Sequence, residues 1–428
     1  MKICVIGAGP SGLTAAKNLL DAGFTDLTVF ERGSEVGGNW VFDAESGHSS
    51  VFETTHIISS RRYSQYDDFP MPESYPDYPG HRHLAQYFKD YARHFGLYPH
   101  ICFRTLVERC RRDVEGRWRV RVRPEGGEAR EEVFDQLVVC NGHHWEPRWP
   151  DYPGVFTGEY LHSHDFKRAE PFRDRRVLVI GGGNSACDCA VETSRVSART
   201  DLSWRRGYWI VPKFIFGIPG DVIHNWATHR LGFIPWRVRR PFLQLLLRLY
   251  NGPNRAYGLP EPDHPFGATH PTVNSELLYF LRHGEIHPRP DVARFEGRRV
   301  HFTDGSEAEY DAVIACTGFV IRHPFLDPDV ADYTDGPVPL YLKMVHPRYD
   351  NLHFVGLMQP LGCIWPLAEL QSRILARRLQ GRWSPPADLE AAIREELANP
   401  HIRQLDTPRH TVTVDYPVFR KRLLEELA

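Results

Sequence analysis

The sequence predicts an α/β fold that contains two dinucleotide-binding domains, with the second domain inserted in the first. Three observations predict it: apolar strand patterns alternate with helical patterns, a glycine-rich turn joins the first strand to the first helix, and this order of elements recurs later in the chain. A length of 428 residues suffices for two or three domains with separate cores. We therefore expect two three-layer domains of the Rossmann type.

The first copy of this pattern begins at residue 2. Residues 2–6 form an apolar strand pattern, residues 7–12 read Gly-Ala-Gly-Pro-Ser-Gly, and residues 13–20 have helical spacing. Small residues in such a turn let the backbone and the helix N-terminus approach a pyrophosphate. Glu31 ends the next strand pattern, 24 residues after Gly7, where a carboxylate would accept the ribose hydroxyls of a nucleotide. A tight turn that binds no nucleotide is the alternative.

Further glycines and strands extend this first domain. Gly37 and Gly38, followed by Asn39 and Trp40, fit the close approach of backbone to a bulky flavin-adenine cofactor. A stretch rich in proline and aromatic residues then runs to about residue 80, and we expect it to be an ordered cover. The predicted elements that follow are a helix over residues 83–95, a three-stranded meander from residue 106 and an apolar strand over residues 134–140.

The same order of elements repeats from residue 176. A strand pattern over residues 176–180 leads into the second glycine turn at residues 181–186, and a helix pattern starts at Cys187. This copy has its own meander over residues 292–311 and its own apolar strand over residues 312–316. The repeat indicates two nucleotide-binding units in tandem.

The two copies differ in charge after their second strands. Arg205 occupies the position that corresponds to Glu31, and Arg206 follows it. A carboxylate accepts ribose hydroxyls, whereas a guanidinium pairs with a 2′-phosphate. The pattern therefore favours FAD in the first copy and NADPH in the second. A solvated arginine pair is the alternative.

The remaining segments complete these domains. Residues 213–272 fit neither copy and contain a strongly apolar helix pattern over residues 241–250, preceded by Arg237, Arg239 and Arg240. This helix suits a membrane surface or a partner subunit, but docking on its own protein is the favoured interpretation. After residue 318 an apolar strand and a helix complete the first domain, and residues 385–428 form a helical or extended tail. We predict an FAD domain over residues 1–160 and 319–428, and an NADPH domain over residues 161–318.

Composition limits the partners and the compartment. The formal net charge of −2 provides no overall field for nucleic acid or anionic lipid. The eight cysteines have no metal-type or C-x-x-C spacing, so we expect no metal and a reducing compartment. A first strand at residue 2 leaves no room for a signal peptide, and no run of 18 uncharged apolar residues occurs. A cytoplasmic protein without a membrane span is the expectation.

The segment that precedes the second glycine turn resembles a known family. Residues 156–166 match the signature F-x-G-x-x-x-H-x-x-x-(Y/F) of flavin-containing monooxygenases, which belong to the class B flavoprotein monooxygenases. The sister family of Baeyer–Villiger monooxygenases ends this signature with Trp followed by Pro or Asp, whereas this sequence has Phe166 and Lys167. Further stretches similar to the family are residues 68–70, 183–185, 203–207, 317–319 and 356–360.

The resemblance implies two redox cofactors, FAD and NADPH, and assigns residues to each. Reduced flavin would react with dioxygen to give a flavin hydroperoxide, which would oxygenate the nitrogen or sulfur of a small molecule. His162 of the signature would help to hold the nicotinamide domain against the flavin domain, and a hinge histidine without a role in turnover is the alternative. A homodimer is a family-level expectation. The residues implied for FAD are Gly7, Gly9, Pro10, Ser11, Gly12, Glu31, Gly38, Asn39, Trp40, Thr317, Gly318 and Gln359. Those implied for NADPH are Gly181, Gly183, Asn184, Ser185, Ala186, Asp188, Arg205 and Arg206.

One departure from the family concerns the segment before residue 68. The family carries a Thr-Asn pair there, whose Asn sits beside the flavin and the nicotinamide, whereas this sequence has Ile57 and Ile58. Ser59 or Ser60 would supply a smaller hydrogen bond, so these two serines and His162 are the candidate catalytic residues. The substitution puts the usual substrate range in question.

Three alternatives remain open at this stage. Baeyer–Villiger oxygenation of a ketone is the nearest. A disulfide reductase would need a C-x-x-C pair, and the chain has only Cys187 and Cys189 in close sequence, on different faces of a helix. A flavoprotein-derived binding or regulatory module without turnover is the third. Tyr63, Tyr66, Trp209 and Trp365 are candidates for a substrate pocket or for core packing.

Overall fold

The computed structural model describes residues 1–42, 46–400, 404–405 and 410–428. Its strands are β1 (Ile3–Ile6), β2 (Leu27–Phe30), β3 (Ile101–Cys102), β4 (Thr105–Arg112), β5 (Trp118–Pro124), β6 (Arg130–Phe134), β7 (Gln136–Val139), β8 (Glu146–Pro147), β9 (Gly154–Phe156), β10 (Glu159–His162), β11 (Arg176–Ile180), β12 (Arg199–Ser203), β13 (Ile210–Val211), β14 (Phe214–Ile215), β15 (Ile218–Pro219), β16 (Thr272–Val273), β17 (Ile286–Arg289), β18 (Val292–Gly297), β19 (Arg299–Phe302), β20 (Glu307–Glu309), β21 (Ala312–Ala315), β22 (Phe319–Val320), β23 (Leu352–Phe354), β24 (Gln359–Pro360) and β25 (Thr413–Val414).

The α-helices are α1 (Pro10–Asp21), α2 (His81–His94), α3 (Asn184–Ser194), α4 (Gly220–Leu231), α5 (Trp236–Asn251), α6 (Leu277–His283), α7 (Pro328–Ala331), α8 (Trp365–Leu379), α9 (Leu389–Ala398) and α10 (Tyr416–Glu426). The chain divides into two compact units. Unit 1 comprises residues 1–51, 55–146 and 320–428, and unit 2 comprises residues 52–54 and 147–319.

Unit 1 is built on a parallel five-stranded sheet in the order β23-β7-β1-β2-β3. Odd and even residues of β1 face opposite layers: Ile3 and Val5 belong to a core with α1, α2 and α8, whereas Cys4 and Ile6 pack with the antiparallel meander β4-β5-β6. Burial on both faces explains why β1 is apolar throughout. Unit 1 therefore has three layers.

Unit 2 repeats this plan. Its parallel sheet has the order β10-β21-β11-β12-β17. Val177 and Val179 of β11 face a core with α3 and α6, whereas Leu178 and Ile180 face the layer that contains β18 and β19. Two α/β units with parallel sheets confirm the predicted fold class.

The tail contains helices α9 and α10, in agreement with the helical form that the sequence predicted as one of two. α10 packs against α8, and its Phe419 and Leu423 are buried in the core of unit 1. The tail also contributes a strand, because Thr413 of β25 pairs with Gln359 of β24. Parts of the predicted loop-rich stretch and of the predicted tail lie outside the described residues.

The helix predicted at residues 241–250 is part of α5. No residue of α4 or α5 is buried. The favoured expectation that this apolar helix is docked on its own protein is therefore wrong for its apolar face, which the structure leaves exposed. A search of the described residues finds no helix with both the length and the apolar character needed to cross a bilayer.

Candidate cofactor-binding site

The first glycine turn connects β1 to α1, and its backbone geometry leaves no space for a Cβ at Gly7 or Gly12. Gly7 has a φ of 100°, and a Cβ on it would lie 2.8 Å from the carbonyl oxygen of Cys140. A Cβ on Gly12 would lie 1.8 Å from the carbonyl oxygen of Gly7, so no side chain fits there. The first turn of α1 carries no acidic residue, and no described side chain caps its N-terminus at Gly9. Its backbone N–H groups are therefore suited to a phosphate.

Glu31 lies directly after β2, beside this turn. Its Oε2 accepts a hydrogen bond from the backbone N–H of Ala8 at 2.7 Å, and its Oε1 accepts one from Gly33 at 2.7 Å. Burial raises the pKa of Glu31, and the two N–H donors and Arg32 oppose that shift. Each carboxylate oxygen has a second lone pair, so the group can still accept a ribose hydroxyl.

The second glycine pair folds back onto the first turn. Gly38 adopts a φ of 55°, and a Cβ on it would lie 2.9 Å from Cα of Gly9. Asn39 accepts hydrogen bonds through Oδ1 from the backbone N–H of Ser50 at 2.7 Å and from its hydroxyl at 2.9 Å. Trp40 packs edge-on against Trp365, with ring centroids 5.8 Å apart. The side-chain carbonyl of Asn39 therefore stabilises the loop through its hydrogen bonds with Ser50.

Pro10 and Ser11 form the first turn of α1. The Pro10 carbonyl accepts a hydrogen bond from the Tyr66 hydroxyl at 2.6 Å. The Ser11 hydroxyl lies against Gly356, where a Cβ would come within 2.0 Å of Ser11 Oγ. Gly356 follows β23 and donates its N–H to Gln371 at 2.9 Å. Three segments that are distant in sequence therefore meet at this turn.

The segment that departs from the family pattern is well packed. Ile57, Ser59 and Ser60 are buried, and Ile58 is half-buried. The Ser59 and Ser64 hydroxyls are hydrogen-bonded at 2.8 Å. Both hydroxyls also face the buried thiol of Cys363 and oppose the rise that burial causes in its pKa. Ser59, the residue after Ile58, therefore lies with Ser64 and the Cys363 thiol.

A buried polar cluster that sequence analysis missed lies at the carboxyl ends of β7 and β23. His143 and His323 are buried, and burial lowers the pKa of His143 to about 4 and that of His323 to about 3. The Gln359 side chain faces His143 and opposes the shift. The available signal was position, because His143 directly follows Asn141 and Gly142, which come after the carboxyl end of β7.

The second glycine turn reproduces the geometry of the first. Gly181 has a φ of 135°, and a Cβ on it would lie 2.5 Å from the carbonyl oxygen of Cys316. Ala186 stands where the first turn has Gly12, and it is fully buried. The N-terminus of α3 at Gly183 is likewise not capped by any described side chain, and its first turn has no acidic residue. Unit 2 therefore presents a second backbone site for a phosphate.

Neighbouring side chains in this turn hold a segment from further along the chain. Asn184 Oδ1 accepts from the backbone N–H of Val273 at 2.7 Å, and Asp188 Oδ1 accepts from the Asn274 amide at 2.8 Å. The Thr272 hydroxyl donates to the Gly182 carbonyl at 2.7 Å. Ser185 is exposed on the helix N-terminus. The structure thus shows Asn184 and Asp188 supporting the turn, a role that the sequence did not predict.

The arginine pair follows β12 at the edge of this turn. Arg205 is exposed and Arg206 is half-buried, with its guanidinium 5.5 Å from the ring centre of Tyr208. Tyr208 in turn fills the space above Gly182, where a Cβ would come within 2.1 Å of its ring. Arg206 is thus held close to the second glycine turn. A positive charge lies where unit 1 has the Glu31 carboxylate.

His162 ends β10 inside unit 2 and is fully buried. Its Nδ1 accepts from the backbone N–H of His164 at 3.1 Å, and its ring contacts Trp149 and Phe319. Burial lowers the pKa of His162 to about 4, so its imidazole is neutral at pH 7. These contacts support the end of β10.

Thr317 and Gly318 follow β21 and pair with a segment near the start of unit 2. The Thr317 hydroxyl donates to the Arg148 carbonyl at 2.5 Å, and the Gly318 carbonyl accepts from the Arg148 N–H at 2.9 Å. Gly318 has a φ of 89°. This pairing defines the path of the chain after β21.

Three of the four aromatic candidates for a substrate pocket are core residues. Tyr66, Trp209 and Trp365 are buried, and the indole N–H groups donate to the carbonyls of His264 and Ser64. Tyr63 is only partly buried. The core-packing interpretation therefore holds for those three.

Comparisons with known proteins add relatives over nearly the whole chain. The sequence matches the family described as "Flavin-binding monooxygenase-like" over residues 1–427. It is 34% identical to flavin-containing monooxygenase 5 of Cavia porcellus, over 97% of this chain and 80% of the relative. It is 33% identical to dimethylaniline monooxygenase [N-oxide-forming] 2 of Rattus norvegicus, over 95% of this chain and 78% of the relative.

Two solved structures show the same fold. The S-allyl-L-cysteine S-oxygenase of Allium sativum superposes with a TM-score of 0.71 at 25% identity, covering 99% of this chain and 88% of its own. Cyclohexanone monooxygenase from Rhodococcus sp. Phi1, in a structure with NADP+, superposes with a TM-score of 0.73 at 16% identity, covering 100% and 97%. The second likeness concerns the fold alone.

Proposed function

The chain belongs to the flavin-binding monooxygenase-like family, and from this premise we propose that it oxygenates a nitrogen or sulfur atom of a small molecule. It is a single-component, NADPH-dependent flavin-containing monooxygenase, and its cofactors are FAD and NADPH. When bound in units 1 and 2, FAD and NADPH would supply hydride transfer and the activation of dioxygen. The protein has to bind both cofactors, orient them and exclude water.

Unit 1 supplies the residues that we propose for FAD. Gly7, Gly9 and Gly12 leave room for the pyrophosphate at the N-terminus of α1. A side chain would collide with backbone at Gly7 and Gly12, whereas a Cβ on Gly9 would lie 3.5 Å from Cα of Gly38. Glu31 would accept ribose hydroxyls with the lone pairs that the N–H groups of Ala8 and Gly33 do not use. The contact between Gly9 and Gly38 would bring a second loop against the cofactor.

Unit 2 supplies the residues that we propose for NADPH. Gly181, Gly183 and Ser185 surround the N-terminus of α3, and Arg205 and Arg206 would pair with the 2′-phosphate. Asn184 and Asp188 would act indirectly, by fixing the turn against residues 272–274.

The residues beside Ile58 are proposed to influence the fate of activated oxygen. Ser59 and Ser60 lie in a buried segment whose side chains at positions 57–60 contain no carboxylate and no amide, so the polar groups there are the two hydroxyls. Oxygen transfer to a soft nucleophile needs little acid–base assistance from side chains, which is compatible with this environment. His162 is proposed to position the end of β10, because its ring contacts are internal to unit 2.

The observation that carries the choice of nitrogen or sulfur over a ketone is the end of the signature at Phe166. Its ring is buried between Phe52 and Phe172, with centroids 5.4 Å and 5.6 Å away. The Baeyer–Villiger family has Trp at this position. The relatives named above include an N-oxide-forming and an S-oxygenating enzyme, which supports the same choice.

The test is product analysis with NADPH and isotopically labelled dioxygen on panels of tertiary amines, sulfides and ketones. We expect one labelled oxygen atom in N-oxide or sulfoxide products. Labelled esters or lactones from ketones, with unreacted amines and sulfides, would overturn the proposed substrate class and favour the Baeyer–Villiger alternative.

A cytoplasmic location and a homodimer are further proposals. All eight cysteines are free thiols, seven of them buried, which suits a reducing compartment. Fractionation of the native host and light scattering of the purified holoenzyme test the two proposals.

A further inference from the structure

Helix α8 is buried along most of its length and places polar side chains in the core of unit 1. Glu369 has no exposed surface, and its Oε2 accepts a hydrogen bond from the backbone N–H of Asp67 at 2.7 Å. Its Oε1 accepts from the guanidinium of Arg373, four residues later on the helix. Because a buried carboxyl is unfavourable without partners, these contacts fix the loop at Asp67 against α8.

The loop that Glu369 holds also contacts the first glycine turn. The hydroxyl of Tyr66, the residue before Asp67, donates to the Pro10 carbonyl at 2.6 Å. The Tyr66 N–H donates to the hydroxyl of Tyr87 in α2 at 2.9 Å, and Tyr66 is fully buried. Asp67 therefore connects the Glu369 carboxyl to a side chain that fixes the first turn of α1.

A second polar side chain of α8 makes a contact of the same kind. Gln371 Oε1 accepts from the Gly356 N–H at 2.9 Å, and Gly356 lies against the Ser11 hydroxyl. Glu369 and Gln371 thus each act, through one intermediate segment, on consecutive residues of the first turn of α1. Of these two side chains, only that of Glu369 can gain or lose a proton.

Charged groups from several elements surround the Glu369 carboxyl. Asp68 lies near it and forms an ion pair with Lys17 of α1 at 2.6 Å. Asp67 forms an ion pair with Arg420 of α10 at 2.9 Å. Burial raises the pKa of each neighbouring tyrosine, so these side chains stay neutral: Tyr66, Tyr87 and Tyr91.

The packed state of this cluster favours a protonated Glu369. Burial and, after it, the charge of Asp68 raise the pKa of Glu369 to about 7, while Arg373 and the Asp67 N–H oppose the rise. Loss of the proton leaves two carboxylates near each other in a buried site. Because packing favours the proton, linkage requires that loss of the proton favours looser packing of the loop against α8.

We propose that Glu369 is a positioning residue for FAD binding: its carboxyl holds the loop at Asp67 against α8, so that Tyr66 keeps Pro10 and the first glycine turn in place. This role rests on the proposed assignment of the turn to FAD. Glu369 acts through the loop and not by a contact of its own with the turn. Deprotonation of Glu369 loosens the loop, so flavin is released faster as the pH rises through 7.

The test is the rate of FAD release from the holoenzyme, followed by flavin fluorescence after dilution at constant ionic strength between pH 6 and pH 8. A solvated glutamate ionises near about pH 4.3, whereas packed Glu369 has a pKa of about 7. Linkage then gives a release rate about tenfold higher at pH 8 than at pH 6. NADPH and substrate are absent, so the result is separate from the proposed oxygenation.

Two substitutions separate the proton of Glu369 from its contacts. Glu369→Gln keeps an acceptor for the Asp67 N–H and cannot ionise, so release should stay as slow at pH 8 as in the unaltered enzyme at pH 6. Glu369→Ala removes the contact, so release should be about tenfold faster at both pH values. A role in folding alone would not make Glu369→Gln slower than the unaltered enzyme at pH 8.

A matched control places the same change at the surface. Glu390 of α9 pairs with Arg394 four residues later, as Glu369 pairs with Arg373, but Glu390 is exposed. Glu390→Gln should therefore show the pH dependence of the unaltered enzyme. Flavin content at pH 6 and thermal unfolding show that each variant is folded.

A change at Asp68 tests the same role without altering Glu369. Asp68→Asn removes the neighbouring negative charge, which lowers the pKa of Glu369. The midpoint of the release profile should then move to a lower pH. This variant decides the matter if Glu369→Gln does not fold.

Two results would overturn the proposed role. One is an equal release rate at pH 6 and pH 8 in the unaltered enzyme. The other is a Glu369→Gln or Asp68→Asn enzyme that keeps the pH profile of the unaltered enzyme. A protein that releases flavin as expected but oxygenates no amine or sulfide would contradict the proposed function and leave the role of Glu369 standing.

Discussion

The glycine turns of the two units share a backbone and differ in side chains. In both, the leading glycine lies against the carbonyl of a cysteine that follows a neighbouring strand, Cys140 for Gly7 and Cys316 for Gly181. The third position differs, because a Cβ would collide with backbone at Gly12, whereas Ala186 is accommodated. The turn of unit 1 therefore excludes a Cβ at its third glycine position, whereas the turn of unit 2 accepts one.

The second strands end on opposite charges, and the two groups are held differently. The Glu31 carboxylate is buried and fixed by two backbone N–H groups, whereas Arg205 is exposed and Arg206 is half-buried. A buried carboxylate that is fixed by hydrogen bonds, such as Glu31, suits a cofactor that stays bound. An exposed guanidinium, such as that of Arg205, suits a cofactor that is exchanged in each turnover. Breaking each feature in turn tests this interpretation.

The largest expected effect is that of Gly12→Ala. Its Cβ would meet the Gly7 carbonyl, so the turn has to deform, at a cost of about 3 kcal/mol or more in the free energy of unfolding. We expect loss of bound flavin, measured by absorbance of the purified protein. The matched variant Ala186→Gly should cost only about 1 kcal/mol, from helix propensity. Full flavin occupancy in Gly12→Ala would contradict the comparison.

The next effect concerns acid stability, which should differ between the units. Burial holds His143 of unit 1 at a pKa of about 4 and His323 and His353 at about 3, and holds His162 of unit 2 at about 4. The unfolded chain binds these protons near pH 6.5, so stability rises with pH between about 3 and 6.5 and is lost as pH falls through that range.

These shifts in pKa correspond to at most about 3 kcal/mol each for His143 and His162 and to at most about 5 kcal/mol each for His323 and His353. We therefore expect unit 1 to open before unit 2 on acidification, measured by hydrogen exchange corrected for intrinsic rates. His323→Phe should reduce the acid loss in unit 1, and His162→Phe should leave it unchanged. If both units opened at the same pH in the unaltered protein, in His323→Phe and in His162→Phe, the buried histidines would not determine which unit opens first.

A smaller effect is expected for the cation pair. Arg205→Ser with Arg206→Ser should raise the KM for NADPH by about thirtyfold, because two charge-assisted contacts to the 2′-phosphate are lost. The KM for NADH and the flavin content should stay constant. Arg294→Ser, a change at another exposed arginine of unit 2, is the control. An equal rise in KM for NADH would refute a role in phosphate recognition.

The smallest effect is expected at the position that departs from the family. Ile58→Asn restores an amide, and we expect about two- to threefold less hydrogen peroxide per NADPH oxidised, the effect of one weak hydrogen bond. Ile58→Val controls for side-chain volume. Unchanged peroxide release, with intact flavin binding, would show that the amide has no influence in this chain.

Much of the fold follows from local patterns. Continuous apolar runs predicted β1, β11 and β21 because parallel strands are buried on both faces. The glycine turns and the charged residues after β2 and β12 were also visible in sequence, since backbone approach and phosphate charge restrict residue type locally. The assignment of these residues to FAD and NADPH stays a prediction.

Other features depended on contacts between distant segments. The sequence predicted neither the pairing of Asn184 and Asp188 with residues 273 and 274 nor the neutral cluster of His143 and His323, because no local pattern encodes which side chains meet.

The sequence by itself determined the two α/β units, their order and the opposite charges after their second strands, because each depends on residues close together in the chain. Only the tertiary structure decided that the apolar side of α5 faces outward and that Ser59 meets Ser64 and Cys363. Helical periodicity identifies an apolar face, but which surface covers that face depends on the packing of the whole unit.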